Sequence, residues 1–216
     1  MPVDVKICGL RTPETVDAAI EAGADWLGFV FYGPSPRNLP YADALPLARH
    51  VGDRAKKVAL LVDAQDGEIA AVVEALRPDL IQFHGEEEPR RVAEIRSRYG
   101  IPVMKAIGVS TPEDLARAEA YRFVADRILF DAKPPRDSRL PGGNGRTFDW
   151  NILAGLDLGK PYMLSGGLDA GNVARAIAAT GAPGGDVSSG VESSPGVKDA
   201  GRIAAFVRAV RDAEAS

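Results

Sequence analysis

The 216-residue sequence has a single cysteine, Cys8, and two histidines, His50 and His84. One thiol excludes an internal disulfide and agrees with a reducing compartment. Neither histidine has a ligand partner four residues on, so the spacing of a zinc site is missing and no metal is expected. His50 reads as the end of a surface helix. No apolar run approaches the ~18 residues of a membrane span, and the opening "MPVDVKICGL" lacks the charged-then-apolar layout of a secretion signal; a cytoplasmic location with no membrane partner is expected. Positive charge is not in excess. With 26 Lys and Arg against 30 Asp and Glu the net charge is −4, which gives no support to nucleic-acid binding. Also missing is a Gly-x-Gly-x-x-Gly after the first apolar run, where "CGLRTPE" stands instead.

What is present is an ordinary folding composition, 45% hydrophobic and 26% charged, on a chain long enough for one sizeable core. A single domain spanning 1–216 is expected. Short apolar or β-branched runs recur at 3–8, 25–31, 57–62, 79–84, 102–107, 126–131, 161–165 and 184–189, the last being weak because it is rich in Gly and Ser. Between them lie stretches with helical spacing. In 12–24, Thr12 caps, Pro13 suits the first helical position and Gly23 follows the last turn; "STPEDLARAEAY" at 110–121 repeats that opening. The helical pattern is weakest at 149–156. Alternating strands and helices imply parallel pairing, in a closed eight-stranded barrel or an open doubly wound sheet. Eight units favour the (β/α)8 barrel, an α/β fold whose sites lie at the C-terminal strand ends.

Side chains alternate along a strand, so Asp4, Lys6 and Cys8 share one face and Val3, Val5 and Ile7 the other. The apolar set is expected against helices, with Lys6 and Cys8 facing the barrel mouth. Leu129 pairs in this way with Asp131, and Gln82 with His84. Position alone leaves each candidate open. Cys8 fits a packed thiol as well as a reactive one, Asp131 fits a turn cap as well as an acid, and Arg37 in "YGPSPRNLP" fits a solvated loop as well as a carboxylate clamp. Glycine clusters follow the last three strands, "PGGNG" 141–145, "SGGLDAGN" 165–172 and "DVSSGVE" 186–192. Such loops bring backbone N–H groups close to a phosphate, and "SSGVESSPGVKD" offers the short helix that completes the phosphate site recurrent in this barrel. The roughly fifteen-residue loop after Asp131 is too long to be a plain connection.

In order along nearly the whole chain, "KICGL" at 6–10, "SPR" at 35–37, "QFHG" at 82–85, "FDA" with "PGGNGRTFDW" at 130–150, "SGGL" with "NV" at 165–173 and "DVSSGVE" at 186–192 resemble the phosphoribosylanthranilate isomerases. The resemblance implies a (β/α)8 barrel acting in tryptophan biosynthesis. Its reaction would convert N-(5-phosphoribosyl)anthranilate to 1-(2-carboxyphenylamino)-1-deoxyribulose 5-phosphate, an Amadori rearrangement without cofactor, in a monomer or homodimer. It implies Cys8 as general base, Asp131 as general acid and Arg37 on the anthranilate carboxylate. Phosphate would be held by Gly143 to Gly145, Gly166 to Gly167 and Ser188, Ser189 and Gly190, with Gln82, His84 and Asp186 as further substrate contacts. Asn144 stands where a threonine is expected. The loop after Asp131 would then cover the substrate. The chemistry calls for an apolar setting around Asp131, such as Leu129 could give, and for a cation such as Lys6 beside Cys8. Two other readings are a related phosphosugar isomerase or lyase, which would not need Arg37, and a silent phosphate-ligand sensor, which would not need Cys8 and Asp131 together.

Overall fold

The structure, a computed structural model, describes residues 2–134, 138 and 140–214, so Pro135, Arg136, Asp137 and Arg139 of the long loop lie outside the described residues. Eight parallel strands close in sequence order: β1 (Asp4–Cys8), β2 (Trp26–Phe31), β3 (Lys56–Leu61), β4 (Leu80–Phe83), β5 (Val103–Val109), β6 (Arg127–Ala132), β7 (Tyr162–Leu164) and β8 (Gly184–Val187). Closure rests on β8 pairing back onto β1, from Asp4 opposite Gly184 to Ile7 opposite Val187. This decides between the two architectures in favour of the barrel.

The helices outside the barrel are α1 (Pro13–Ala22), α2 (Tyr41–Val51), α3 (Asp66–Leu76), α4 (Pro89–Tyr99), α5 (Ala116–Glu119), α6 (Val173–Thr180) and α7 (Ala200–Glu214). Helix α1 is bounded as its sequence dictates. Thr12 Oγ1 accepts from the Thr15 amide at 3.4 Å, Pro13 occupies the first position, and Gly23 at φ 91° carries the left-handed turn that ends the helix. The similar opening at 110–121 gives less: a 3-10 turn over Pro112–Leu115 and the one-turn α5. Residues 149–156 hold a single 3-10 turn, Trp150–Leu153. Among the described residues no helix is long and apolar enough to cross a membrane.

Strand parity divides the interior from the shell. Val5 and Ile7 are fully buried in one cluster with Val16 and Ala19 of α1, whereas Lys6 and Cys8 face inward. The N-terminal end of the barrel interior is filled by Trp26, Val58, Leu80, Met104, Ala106, Leu129 and Met163. Toward the opposite end Cys8 meets Val30 and Leu60. Gly28, between Trp26 and Val30 on the inward face of β2, makes room there: a β-carbon would lie 2.9 Å from Cys8 Sγ and 3.1 Å from Lys6 Nζ.

Candidate active site

The strand ends and their loops enclose one pocket lined by Cys8, Arg37, Gln82, His84, Asp131 and Asp186, with the loop glycines as its rim. Strands β1 and β6 stand three places apart around the closed ring, so Cys8 and Asp131 enter this pocket from opposing walls. Both side chains are buried.

Asp131 is not in the apolar setting expected of it. Its Oδ1 accepts from the Ala132 amide at 2.8 Å, and its Oδ2 lies 3.2 Å from His84 Nε2. The reason is geometric, since His84 follows the last residue of β4 and the barrel curvature turns its ring across the mouth toward β6. Gln82 Nε2 is 3.2 Å from His84 Nδ1, an arrangement in which Nδ1 accepts and Nε2–H is free to donate to Asp131. Gln82 Oε1 is buried and has no partner among the described residues. It is an acceptor available to a ligand hydroxyl.

Cys8 also differs from expectation. Lys6 does lie beside the thiol, but its ammonium is committed to Asp186 Oδ1 at 2.7 Å. Burial opposes the Lys6 charge, yet the Asp186 carboxylate outweighs this and holds the ammonium well above its usual range. Burial likewise dominates at Cys8 and pushes the thiol up, against the opposing pull of Lys6 and Lys198. Asp186, a proposed substrate contact, has both oxygens engaged, the second accepting from Ser165 Oγ at 2.9 Å. It lines the pocket and at the same time supports Lys6.

Arg37 is buried, with its guanidinium side-on to Glu192: Nε to Oε1 at 2.7 Å and Nη2 to Oε2 at 2.8 Å. It is thus neither a solvated loop arginine nor a clamp with its whole fork open. Nη2 also reaches the Gly143 carbonyl at 3.3 Å. Nη1 has no acceptor among the described residues and points along the rim, where a β-carbon on Gly143 would lie 2.5 Å away.

The loop after β6 crosses the mouth. Gly142 packs so closely that a β-carbon would lie 2.6 Å from Asp131 Oδ2 and 2.7 Å from His84 Nε2. Asn144 braces this loop, receiving a hydrogen bond from Ser138 Oγ at 3.1 Å and donating to the Leu140 carbonyl at 3.3 Å. Gly143 and Gly145 turn it at φ 70° and 67°, and Gly166 and Gly167 turn the next loop at 88° and 62°. The expected short helix after β8 is only a 3-10 turn, Ser189–Val191. Beyond it the chain forms an antiparallel hairpin of β9 (Glu192–Ser194) and β10 (Val197–Lys198). Pairing of Val197 opposite Ser194 and the glycine at 196 favour a hairpin over a helix. The amides of Gly166, Gly167, Ser189 and Gly190 have no acceptor among the described residues. A side chain at Gly190 would collide with the Leu168 carbonyl, so its glycine is demanded by packing of one loop on the other.

Several participants carried no sequence signal of their own. Ser165, Glu192 and Lys198 sat inside or beside motifs already noticed, but their partners lie up to 155 residues away. Gly9 could have been found from the close spacing of "KICG", since it is where the Arg37 stem lies. Among the described residues no group of three His, Cys, Asp or Glu is placed to hold a metal ion.

Comparison with known proteins bears on the chain as a whole. A relative from Azorhizobium caulinodans, an N-(5'-phosphoribosyl)anthranilate isomerase, is 60% identical over 216 residues, covering 100% of this chain and 95% of its own. The crystal structure of phosphoribosyl anthranilate isomerase from Thermotoga maritima superposes with a TM-score of 0.88 at 36% identity, over 97% of this chain and 99% of that one. A further isomerase structure, in complex with reduced 1-(o-carboxyphenylamino)-1-deoxyribulose 5-phosphate, superposes at 0.83 with 33% identity and the same coverage. The family model described as N-(5'phosphoribosyl)anthranilate (PRA) isomerase matches residues 5–209, and the chain belongs to that family.

Proposed function

We propose that the pocket carries out its isomerisation by paired acid–base chemistry, with Asp131 as general acid and Cys8 as general base. The reaction itself, isomerisation of phosphoribosylanthranilate in tryptophan biosynthesis, follows from family membership. It turns an aminoaldose into an aminoketose with no net change in oxidation level. Asp131 gives its proton to the furanose ring oxygen. The C1–O bond breaks, and the amine nitrogen supplies the electron pair of the resulting iminium. The Cys8 thiolate then takes the proton from C2, whose electron pair forms the C1–C2 double bond of an enolamine. The C2 hydroxyl proton leaves and C1 gains one, giving the ketone.

The observation that carries this reading is the opposition of Cys8 and Asp131 across one pocket, on β1 and β6. Around them, the free amides of Gly166, Gly167, Ser189 and Gly190 suit the phosphate, with Gly143, Gly145 and Ser188 shaping the loops that present it. Arg37 offers Nη1 to the aromatic carboxylate. Gln82 Oε1 suits a sugar hydroxyl, and His84 orients Asp131. Holding both ends of the substrate fixes C1 and C2 between the acid and the base, while the Gly142 loop keeps water from the iminium. The test is Cys8→Ala. Turnover falls by at least about a hundredfold, whereas affinity for the reduced product analogue, measured by calorimetry, is retained. Near-normal turnover would return Cys8 to a packed thiol.

A further inference from the structure

Arg37 is held along its whole length. Its stem lies on Gly9, where φ is 86° and a β-carbon would come 2.9 Å from Arg37 Cδ, and its side-on edge is bidentate on Glu192. Glu192 takes a second cation, Lys198 Nζ, at 2.7 Å, and the two stand opposite each other across the β9–β10 hairpin. The hairpin is seated on the loop that carries the arginine, because Gly196 at its tip packs onto the Pro36 carbonyl too closely for any side chain. Lys198 also donates to the Ser188 carbonyl at 2.9 Å, and Ser188 Oγ donates to the Cys8 carbonyl at 3.1 Å. One chain of bonds, buried from Arg37 through Glu192 to Lys198, thus runs on through the half-buried Ser188 to the backbone of Cys8.

We propose that Glu192 is a positioning residue that locks the guanidinium of Arg37 by its side-on edge and leaves Nη1 as the receptor for the substrate carboxylate, with Lys198 bracing the lock against the phosphate loop. This rests on the assignment of Arg37 to that carboxylate. The cluster holds two cations and one anion, so it keeps a single positive charge for an incoming anion to neutralise. A guanidinium bound side-on still has both Nη1 hydrogens, and in this pocket they have no acceptor among the described residues. A purely structural ion pair has no use for an unfilled Nη1 at the wall of a pocket. Without Glu192, two buried cations would repel each other and the flexible arginine would turn out of line.

The experiment compares Glu192→Gln, Glu192→Asp and Lys198→Met with Arg37→Ala. The ligands are the reduced product analogue, which carries carboxylate and phosphate, and inorganic phosphate, which carries only the latter. Glu192→Gln should weaken the analogue and raise KM by roughly ten- to a hundredfold, the scale of a charge-assisted contact. Its kcat should stay within about threefold, because binding to substrate and transition state is lost equally. Inorganic phosphate should bind as before, which also shows the variant to be folded. Glu192→Asp, which keeps the charge on a shorter stem, recovers part of the loss, and Lys198→Met shifts the analogue the same way by a smaller factor. Added to Arg37→Ala, Glu192→Gln should cost nothing more. Equal weakening of both ligands, additive losses in the double variant, or an unaltered KM would overturn the proposal. If Arg37→Ala itself spares the analogue, the carboxylate assignment falls instead, an outcome visible before Glu192 is touched.

Discussion

Leu129 and Asp131 lie two residues apart on the same face of β6, as Leu80 and Gln82 do on β4 and Lys6 and Cys8 on β1. In β4 and β6 the step of two carries the chain from the apolar end of the barrel interior to its mouth. At the N-terminal end the interior is an apolar plug of Trp26, Val58, Leu80, Met104, Leu129 and Met163. At the C-terminal end the same faces present Cys8, Gln82 and Asp131, with the Lys6–Asp186 pair at the level between. The plug needs only volume and shape. The mouth needs particular atoms, and the ion pair and the hydrogen bonds of Ser165 and His84 supply the order that apolar packing gives the other end.

The sharpest way to break this comparison is to change the two ends of one strand separately. Asp131→Asn should lower kcat by at least about a hundredfold with little change in Tm, since an amide can hydrogen-bond to the ring oxygen but cannot readily protonate it. Leu129→Ala should do the reverse, costing about 2–5 kcal/mol in denaturant unfolding while the folded fraction keeps its kcat. If both variants lost activity and stability together, the division of the interior would be wrong. Because Cys8 and Asp131 serve one reaction sequence, their double variant should be little worse than the poorer single one.

A smaller effect is expected at the rim. Gly142→Ala asks for no unusual φ, yet its β-carbon would press on Asp131 Oδ2 and His84 Nε2. We expect kcat/KM to fall roughly tenfold as the loop is lifted, with stability unchanged, because the loop covers the mouth without supporting the plug. Steady-state kinetics beside a thermal melt separate the two.

The pH profile sharpens the electrostatic side. Burial raises the Cys8 thiol, and thiolate is the base, so kcat/KM should climb with pH along a limb lying above the ordinary thiol range. Lys6 and Lys198 oppose that shift. Removing one of these cations in Lys198→Met should therefore move the limb to still higher pH, and a limb that stays in place would separate Lys198 from the thiol. The smallest effect belongs outside the pocket, at Asp114. Burial disfavours its charge, but hydrogen bonds from Lys133 at 2.8 Å, Ser110 at 2.8 Å and Thr111 at 3.1 Å outweigh this and hold its carboxyl well below the usual range. A depressed carboxyl stabilises the fold fully above its unfolded pKa and loses that contribution as pH falls through and below that range. Asp114→Asn should thus cost about 1 kcal/mol near neutral pH, the scale of a lost cap, and much less in acid, as read by urea unfolding at both.

The sequence by itself determined what is local. Eight apolar runs fixed the number of barrel strands, alternation placed Lys6, Cys8, Gln82 and Asp131 on inward faces, and Thr12, Pro13 and Gly23 set the ends of α1. These follow from the two-residue period of a strand and the capping needs of a helix. Glycine clusters marked the rim for the same reason, since a left-handed φ is a property of one residue. Only the tertiary structure decided who meets whom. That His84 turns toward Asp131, that Lys6 is spent on Asp186, that Arg37 is gripped by Glu192 from 155 positions away, and that the segment after β8 is a hairpin seated on Pro36 all depend on closing the ring between β1 and β8. Closure sets which strand ends are neighbours, and a charge inside a barrel takes whatever partner that neighbourhood provides.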